Sequence, residues 1–359
     1  MLDFPEIPWV ILMSDTKGRI LSGIRPTGRL HLGNYLGALM NWVDLQNEYE
    51  CYYCVVDIHA LTTLQSPEEV NNIQPNIREM VLDWLAAGLD PESSVIFVQS
   101  HVPEVLTLHA LLSMITPMGW LMRVPTFKEK IRQMQKTDES VNYGLVGYPV
   151  LQTADIILYK GDTVPVGEDQ KQHVELTRDI AERFNNIYGQ TFVLPEAVVP
   201  EVGARVMGLD NPLIKMSKSH AHIRGHAISM LDDPKEIERS IKRSVTDSFN
   251  EICFSNEKER AGVYNLLGIY QVITQKTEQE VESDFKDARG YGDLKSRVSD
   301  TVISEIEPIT KRYYELINDP AELGRLIQKG DDSARQYADP KLDIVLDKVG
   351  LHRNDGAGG

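Results

Sequence analysis

The sequence predicts an α/β fold, with a parallel sheet in its first part and helices alone in its last part. Strand-like runs at Arg19–Ile24, Cys51–Asp57 and Ser94–Gln99 alternate with helical patterns at Leu32–Glu48 and Pro67–Ala87. Such alternation is typical of βαβ units, whose parallel strands are joined by right-handed crossovers. Beyond about residue 225 only helical patterns remain. We therefore expect a Rossmann-like domain with a parallel sheet, followed by an all-helical C-terminal domain.

The first strand is followed by a tight turn and then a helix. Pro26 and Gly28 break the apolar run, and leucines then recur at helical spacing. We expect His31 and Asn34 on one face of the first helical turn, beside free N–H groups that favour phosphate. Gly33 would let a flat ring approach the backbone. An ordinary strand-to-helix turn with polar surface residues explains the same pattern.

The alternation lapses between Glu104 and about Tyr148, where the sequence is helical or irregular and contains a basic cluster. We interpret this stretch as an insertion between the two halves of the sheet domain. After it we expect strands at Asp155–Tyr159 and near Thr163–Val166, and then a helix from Glu168 to Tyr188. Apolar residues at helical spacing mark the buried side of that helix.

Two lysines and two serines are concentrated in Lys215–Ser219, shortly after the turn signal Asn211-Pro212. Ammonium groups, hydroxyls and free backbone N–H groups together suit phosphate oxygens. The same five residues also fit a solvated basic loop, because most lysines are exposed. We interpret residues 211–224 as a loop that binds a polyanion, and we call it the lysine loop.

Helix signals dominate the rest of the chain. Asp233-Pro234 followed by Glu236 marks a helix start. The further predicted helices are Glu257–Thr274, Glu278–Ala288, Asp293–Ile317 and Ser333–Val349. The last of them is expected to be broken or kinked at Pro340.

The chain is acidic, and its net charge of −16 argues against nucleic-acid binding by the molecule as a whole. Local charge can override the total. Two basic clusters are present, one formed by Arg123, Lys128, Lys130, Arg132 and Lys136 and the other by Lys235, Arg239, Lys242 and Arg243. They fit surfaces that meet nucleic acid and fit solvated helix faces equally well.

Three cysteines, and the lack of an unbroken apolar run near 18 residues, favour a cytoplasmic protein that does not enter a membrane. Cys51 and Cys54 lie in one predicted strand and face opposite sides, which argues against a shared metal or a disulfide. Only Cys253 remains, so we predict no metal site built by the protein. Residues 1–17 are expected to be an N-terminal extension, with Met13 as an alternative start.

The turn around His31 and the lysine loop together resemble the signatures of class I aminoacyl-tRNA synthetases. In that class a His-x-Gly-His type turn and a Lys-Met-Ser-Lys-Ser loop contact ATP from opposite sides. Here Asn34 stands at the position of the second histidine. The stretches Gly33–Leu39 and Val164–His173 are similar to the tryptophanyl branch of the class. The resemblance extends from about Ile20 to about Gly350.

The resemblance implies ATP-dependent ligation of L-tryptophan to tRNA(Trp) through an adenylate, with release of pyrophosphate and AMP and with Mg²⁺ bridging the phosphates. It also implies a homodimer to which the insertion contributes. The expected domains are a catalytic domain at 18–224, with the insertion at about 104–148, an anticodon-binding domain at 225–350 and a tail at 351–359.

The resemblance also assigns site residues. Catalytic roles fall to His31, Asn34, Lys130, Lys215 and Lys218, of which the three lysines would hold phosphates. ATP contacts fall to Arg25, Pro26, Thr27, Gly33, Asn34, Gly167, Glu168, Asp169, Val206, Lys215, Met216, Ser217, Lys218 and Ser219. The tryptophan site would be formed by Leu21, His59, Tyr148, Gln152, Asp155, Val164, Val166 and Gln170.

Asp155 should determine selectivity, because a carboxylate facing an indole N–H is left without a partner by phenylalanine. Gln152 and Arg25 depart from the family pattern, which commonly has methionine and glutamine there. Arg25 is expected to pair with the substrate carboxylate or the α-phosphate. The alternatives are a tyrosyl-type synthetase, a non-catalytic paralogue that binds tRNA, and an adenylyltransferase unrelated to tRNA.

Overall fold

The computed structural model describes residues 18–124, 141–166, 171–198, 205–217 and 225–352. The expected extension at 1–17 and the last seven residues of the expected tail, 353–359, lie outside these ranges. None of the described helices combines the length and the apolar character that crossing a membrane requires.

A five-stranded parallel sheet forms the centre of the first part of the chain. Its strands are β1 (Arg19–Ile24), β2 (Glu50–Val55), β3 (Ser94–Val98), β4 (Thr163–Pro165) and β5 (Glu196–Val198). They lie in the order β3-β2-β1-β4-β5, and every neighbouring pair is parallel. The direction in which successive strands are added to the sheet changes between β1 and β4. In such sheets ligands bind at this point, in the crevice outside the carboxyl ends of the strands. The predicted α/β class is confirmed.

Helices cover the sheet and make up the last part of the described chain. They are α1 (the consecutive segments Leu32–Asn34, Tyr35–Leu39 and Met40–Leu45), α2 (Asp57–Ala60), α3 (Pro67–Asn71), α4 (Ile73–Ala87), α5 (Glu104–Ile115), α6 (Met118–Leu121), α7 (Tyr143–Leu158), α8 (Lys171–Tyr188), α9 (Pro234–Lys242), α10 (Ala261–Thr274), α11 (Glu278–Asp284), α12 (Tyr291–Leu316) and α13 (Pro320–Lys348). Single 3₁₀ turns lie at Gln99–His101 and Lys258–Arg260.

The predicted strand at Asp155–Tyr159 is wrong, because these residues close α7. That helix packs between α5 and α8, and every residue from Thr153 to Tyr159 is buried. The end of a helix that is buried on every side has no polar face, so its sequence carries no 3.6-residue period and is easily taken for a buried strand. The predicted helix Pro67–Ala87 also divides in two at Asn72.

The last helix, α13, is longer than the sequence predicts and is not broken at Pro340. It begins at Pro320, where the Asp319 side chain accepts a hydrogen bond from the Glu322 N–H at 2.9 Å. It then crosses β3 so closely that a Cβ on Gly330 would lie 1.8 Å from the carbonyl oxygen of Ile96. The C-terminal helices therefore share the core with the sheet.

Candidate active site

The turn after β1 places His31 and Asn34 at the start of α1. His31 is the N-cap residue, just before the first helical turn in which we expected it. Its ring Nδ1 accepts a hydrogen bond from the Asn34 N–H at 3.2 Å, and the Asn34 side-chain oxygen accepts one from the His31 N–H at 3.3 Å. This reciprocal cap fixes both side chains at the helix N-terminus, whose positive dipole end favours an anion.

The first half of the lysine loop folds back on the strand-like segment before it. Met207 and Lys215 form an antiparallel bridge, and the Met216 N–H donates to the Val206 carbonyl at 3.1 Å. Asn265 on α10 exchanges two hydrogen bonds with the Met207 backbone, at 2.8 and 3.0 Å. Met216 is buried, whereas the adjacent Lys215 is exposed.

The two motifs meet. Backbone hydrogen bonding joins the segment after the lysine loop to the turn, since the Leu32 N–H donates to the Ile228 carbonyl at 2.8 Å. Gly33 faces the loop: a Cβ there would lie 3.4 Å from the Met216 Cβ and 3.1 Å from the His31 ring. Met216, the residue after Lys215, therefore packs directly against the start of α1.

A second pair of polar residues closes the base of the lysine loop. His226 Nδ1 lies 2.6 Å from the Asp210 carboxylate, and the Leu209 N–H donates to the His226 carbonyl at 3.1 Å. The His226 side chain is buried. The residues that lead into and out of the loop are therefore held together.

The face of α7 that bears the expected selectivity residue lines the crevice beside β1 and β4. Tyr148, Gln152 and Asp155 are spaced by four and three residues and so share one face of the helix. The Tyr148 hydroxyl lies 3.0 Å from His173 Nε2, and His59 Nε2 lies 2.9 Å from the Asp155 carboxylate. Asp155 is buried and Gln152 is partly exposed.

Apolar residues surround this face. Leu21 on β1 and Val164 on β4 are buried in the same hydrophobic cluster as α7, and Val166 packs against that cluster. Pro26 is buried and Thr27 partly exposed in the turn after β1. The structure therefore brings the described members of the predicted tryptophan site to one end of the sheet.

Gln99, which the sequence did not predict, contacts the expected selectivity residue Asp155. Its side-chain NH₂ donates to both Asp155 oxygens at 2.8 Å, and the residue is fully buried. The signal was a polar residue directly after the buried strand β3, since functional side chains concentrate at the carboxyl ends of parallel strands.

Arg25 lies at the carboxyl end of β1 with its side chain exposed in the crevice. One guanidinium nitrogen donates to the Thr63 hydroxyl at 3.3 Å, and no carboxylate pairs with it within the described ranges. Desolvation by neighbouring protein atoms lowers the pKa of Arg25, and the nearby Tyr148 opposes that shift. A guanidinium in this position is available to an anionic ligand.

Seven of the expected site residues lie outside the described residues. They are Lys130, Gly167, Glu168, Asp169, Gln170, Lys218 and Ser219.

Comparison with known sequences places these features in a family. A family model described as class I tRNA synthetases (W and Y) matches residues 13–306. The tryptophan–tRNA ligase of Wolinella succinogenes is 44% identical over 335 residues, which are 93% of this chain and 99% of that protein. The corresponding ligase of Bacillus subtilis is 43% identical over 337 residues, which are 94% of this chain and 99% of that protein.

Solved structures of tryptophanyl-tRNA synthetases also resemble this chain. The tryptophanyl-tRNA synthetase of Mycoplasma pneumoniae superposes with a TM-score of 0.83 at 31% identity, covering 94% of this chain and 98% of that one. The synthetase of Campylobacter jejuni, solved in complex with ADP and tryptophan, has a TM-score of 0.75 at 33% identity and covers 93% of this chain and 100% of that one.

Proposed function

The chain belongs to the tryptophan branch of the class I tRNA synthetases, and on that premise we propose how its crevice performs the reaction. The chain joins tryptophan to tRNA in an ATP-dependent reaction with a tryptophanyl-adenylate intermediate. The tryptophan carboxylate attacks the α-phosphorus of ATP, and pyrophosphate leaves. The adenylate then esterifies the terminal adenosine of tRNA, and AMP is released. The protein forms no covalent bond with the substrates, so it contributes by positioning them and by stabilising charge.

ATP is proposed to bind between the start of α1 and the lysine loop. The supporting observation is that Met216 packs against Gly33, which brings the exposed Lys215 beside the His31 and Asn34 cap. Phosphates would face the positive dipole end of α1 together with Lys215, Lys218 and Lys130, and Val206 would border the adenine. Pro26 and Thr27 would contact ATP, and Gly167, Glu168 and Asp169 would contact its nucleoside side.

Tryptophan is proposed to bind along α7, with its indole N–H donating to Asp155. Leu21, Val164 and Val166 would surround the ring, with His59 and Gln152 beside it. Tyr148 and Gln170 would contact the α-amino group. The buried position of Asp155 supports this role, because a buried acceptor that a wrong substrate leaves unpaired is costly.

Mg²⁺ is proposed to accompany ATP, and it would neutralise charge that develops on the leaving pyrophosphate. The described part of the chain contains no group of three or more His, Cys, Asp or Glu side chains placed to hold a metal ion. Phosphate oxygens are the ligands that this ion prefers alongside water.

A homodimer is proposed to form through the insertion. Support comes from large apolar side chains that α5, α6 and the residue after α6 expose, namely Leu106, Met114, Met118 and Met122. Clustered exposed apolar residues are typical of protein interfaces. We also propose a cytoplasmic location. A tRNA-binding role is proposed for the basic face of α9, where Lys235, Arg239, Lys242 and Arg243 line an open depression together with Glu238.

Replacing Asp155 with Ala tests the proposed tryptophan site. We expect the KM for tryptophan in ATP–pyrophosphate exchange to rise by at least about 100-fold, since the indole N–H loses a charged acceptor. The KM for ATP should change by less than about threefold, because only uniform amino-acid binding is removed. An unchanged KM for tryptophan would show that Asp155 does not contact the substrate.

A further inference from the structure

Three buried carboxylates from three different helices converge on the short turn after β3. Asp57 at the start of α2, Asp155 near the end of α7 and Asp331 on α13 are exposed by only 6%, 4% and 3%. Each of them accepts hydrogen bonds from residues of Val98–His101. A buried carboxylate is costly unless its oxygens accept hydrogen bonds. These hydrogen bonds hold the turn after β3 at several points.

Two of these acids fix the backbone of the turn. Asp331 accepts a hydrogen bond from the Val98 N–H at 2.9 Å and lies 2.6 Å from His101 Nδ1. That hydrogen bond raises the pKa of His101. Asp57 accepts from the Ser100 N–H at 3.0 Å and from the Ser100 hydroxyl at 2.5 Å. Gln99 lies between Val98 and Ser100, so its backbone is held in place. The position from which its side chain extends is therefore fixed.

The Gln99 side chain has only one possible orientation. Its amide oxygen accepts hydrogen bonds from the Ile58 N–H at 3.2 Å and the His59 N–H at 3.3 Å. Backbone N–H groups can only donate, so the oxygen must face them and the NH₂ group must face Asp155. The NH₂ group lies 2.8 Å from both carboxylate oxygens.

This arrangement determines which lone pairs of Asp155 remain for a ligand. An ionised carboxylate has about four acceptor positions. The Gln99 NH₂ group occupies the side between the two oxygens, and His59 Nε2 approaches one of them at 2.9 Å. Rotation of the carboxylate would break these contacts, so its free lone pairs point in a constant direction.

We propose that Gln99 is a positioning residue for tryptophan selectivity: it orients the Asp155 carboxylate toward the indole N–H. The inference rests on the proposed role of Asp155. Gln99 does not itself touch the substrate, and its effect is transmitted through the carboxylate. Loss of its NH₂ group would leave Asp155 free to rotate and would weaken tryptophan binding without weakening ATP binding.

Gln99→Met tests the proposal, because methionine fills a similar volume and donates no hydrogen bond. The matched control is Gln46→Met, at another buried glutamine, which contacts the Gly88 carbonyl at 3.1 Å and the Asp90 N–H at 2.9 Å. In pyrophosphate exchange we expect Gln99→Met to raise the KM for tryptophan by about 10- to 100-fold and to leave the KM for ATP within about twofold. Gln46→Met should change the Tm without changing either KM.

Gln99→Glu gives a second readout with almost the same shape. One carboxylate oxygen can still accept from the two N–H groups, but the other meets Asp155, and such neighbouring carboxylates share a proton. The other titratable groups near Asp155 are His59, His109, Cys54 and Tyr159. They are present in both proteins, so the ratio of tryptophan affinities between Gln99→Glu and the unmodified chain isolates the new group. We expect this ratio to fall as the pH rises from about 6 to about 8.

The outcomes are separable. Equal tryptophan KM values for Gln99→Met and Gln46→Met would overturn the proposal. If Gln99→Met does not fold, a pH-independent affinity ratio for Gln99→Glu would overturn it instead. Asp155→Ala separates failure of this inference from failure of the proposed tryptophan site. If Asp155→Ala raises the KM for tryptophan and Gln99→Met does not, only this inference is removed. If Asp155→Ala has no effect, the proposed tryptophan site itself is removed.

Discussion

Asp155 shows how a single acid acquires a specific direction. Its side chain is buried, and its hydrogen-bond partners are Gln99 in the turn after β3 and His59 on α2. The sequence predicts Asp155 and His59 through their family pattern. It does not predict Gln99, because one glutamine after a strand has no periodicity and its hydrogen bonds join residues 40 to 56 positions apart. Contacts of that range exist only in the folded chain.

Arg25 is one of two expected site residues that depart from the family pattern. We expect Arg25→Gln to lower kcat/KM for pyrophosphate exchange by about tenfold, since a charged hydrogen bond to the carboxylate or α-phosphate is lost. Arg289→Gln, at an exposed guanidinium on the segment before α12, is the matched control and should have no effect. Unchanged exchange kinetics for Arg25→Gln would exclude the proposed anion contact.

At the scale of elements, local signals predict some helix boundaries and fail at others. Asp233-Pro234 predicts the start of α9 correctly, and Asp319-Pro320 is the same signal at the start of α13. The start of α13 is not predicted, because the sequence after Asp319-Pro320 is mostly polar. Only a narrow stripe of this helix contacts the core. That stripe includes Gly330, which allows the helix to lie directly on β3.

Two glycines of α13 provide a matched test of this packing. Gly330→Ala places a Cβ against the Ile96 carbonyl, so the helix must move, and we expect a loss of at least about 2 kcal/mol in the free energy of unfolding. Gly324→Ala meets no atom within 4 Å and should stabilise the helix by about 0.5–1 kcal/mol. Urea unfolding of both variants measures the difference, and equal stabilities would contradict the close contact.

At the scale of the whole molecule, two hydrophobic clusters lie on the two faces of the sheet and extend into the C-terminal helices. One contains Ile20 and Trp84 together with Val298 on α12, and the other contains Leu21 and Phe97 together with Ala334 on α13. Periodicity predicts the apolar face of a single helix, but not which other face covers it. The alternation of strands and helices therefore predicts the parallel sheet, whereas the extent of the shared core follows only from the structure.

The proposed dimer interface can be tested at Met114. Met114 is 81% exposed on α5, and we expect Met114→Glu to shift the protein from dimer to monomer, because a charge would be buried in an apolar interface. Ile344→Glu, at a residue of α13 that is 50% exposed, is the control and should leave the mass unchanged. Light scattering after gel filtration gives the mass, and a Met114→Glu dimer would place the interface elsewhere.

The central claim is that this crevice activates tryptophan. ATP–pyrophosphate exchange by the unmodified chain, measured separately with tryptophan and with tyrosine, tests it most directly. We predict rapid exchange with tryptophan and a kcat/KM for tyrosine lower by at least about 100-fold, because the hydroxyl of a smaller ring does not occupy the position of the indole N–H. Exchange with tyrosine at a comparable rate, or with neither amino acid, would contradict the account.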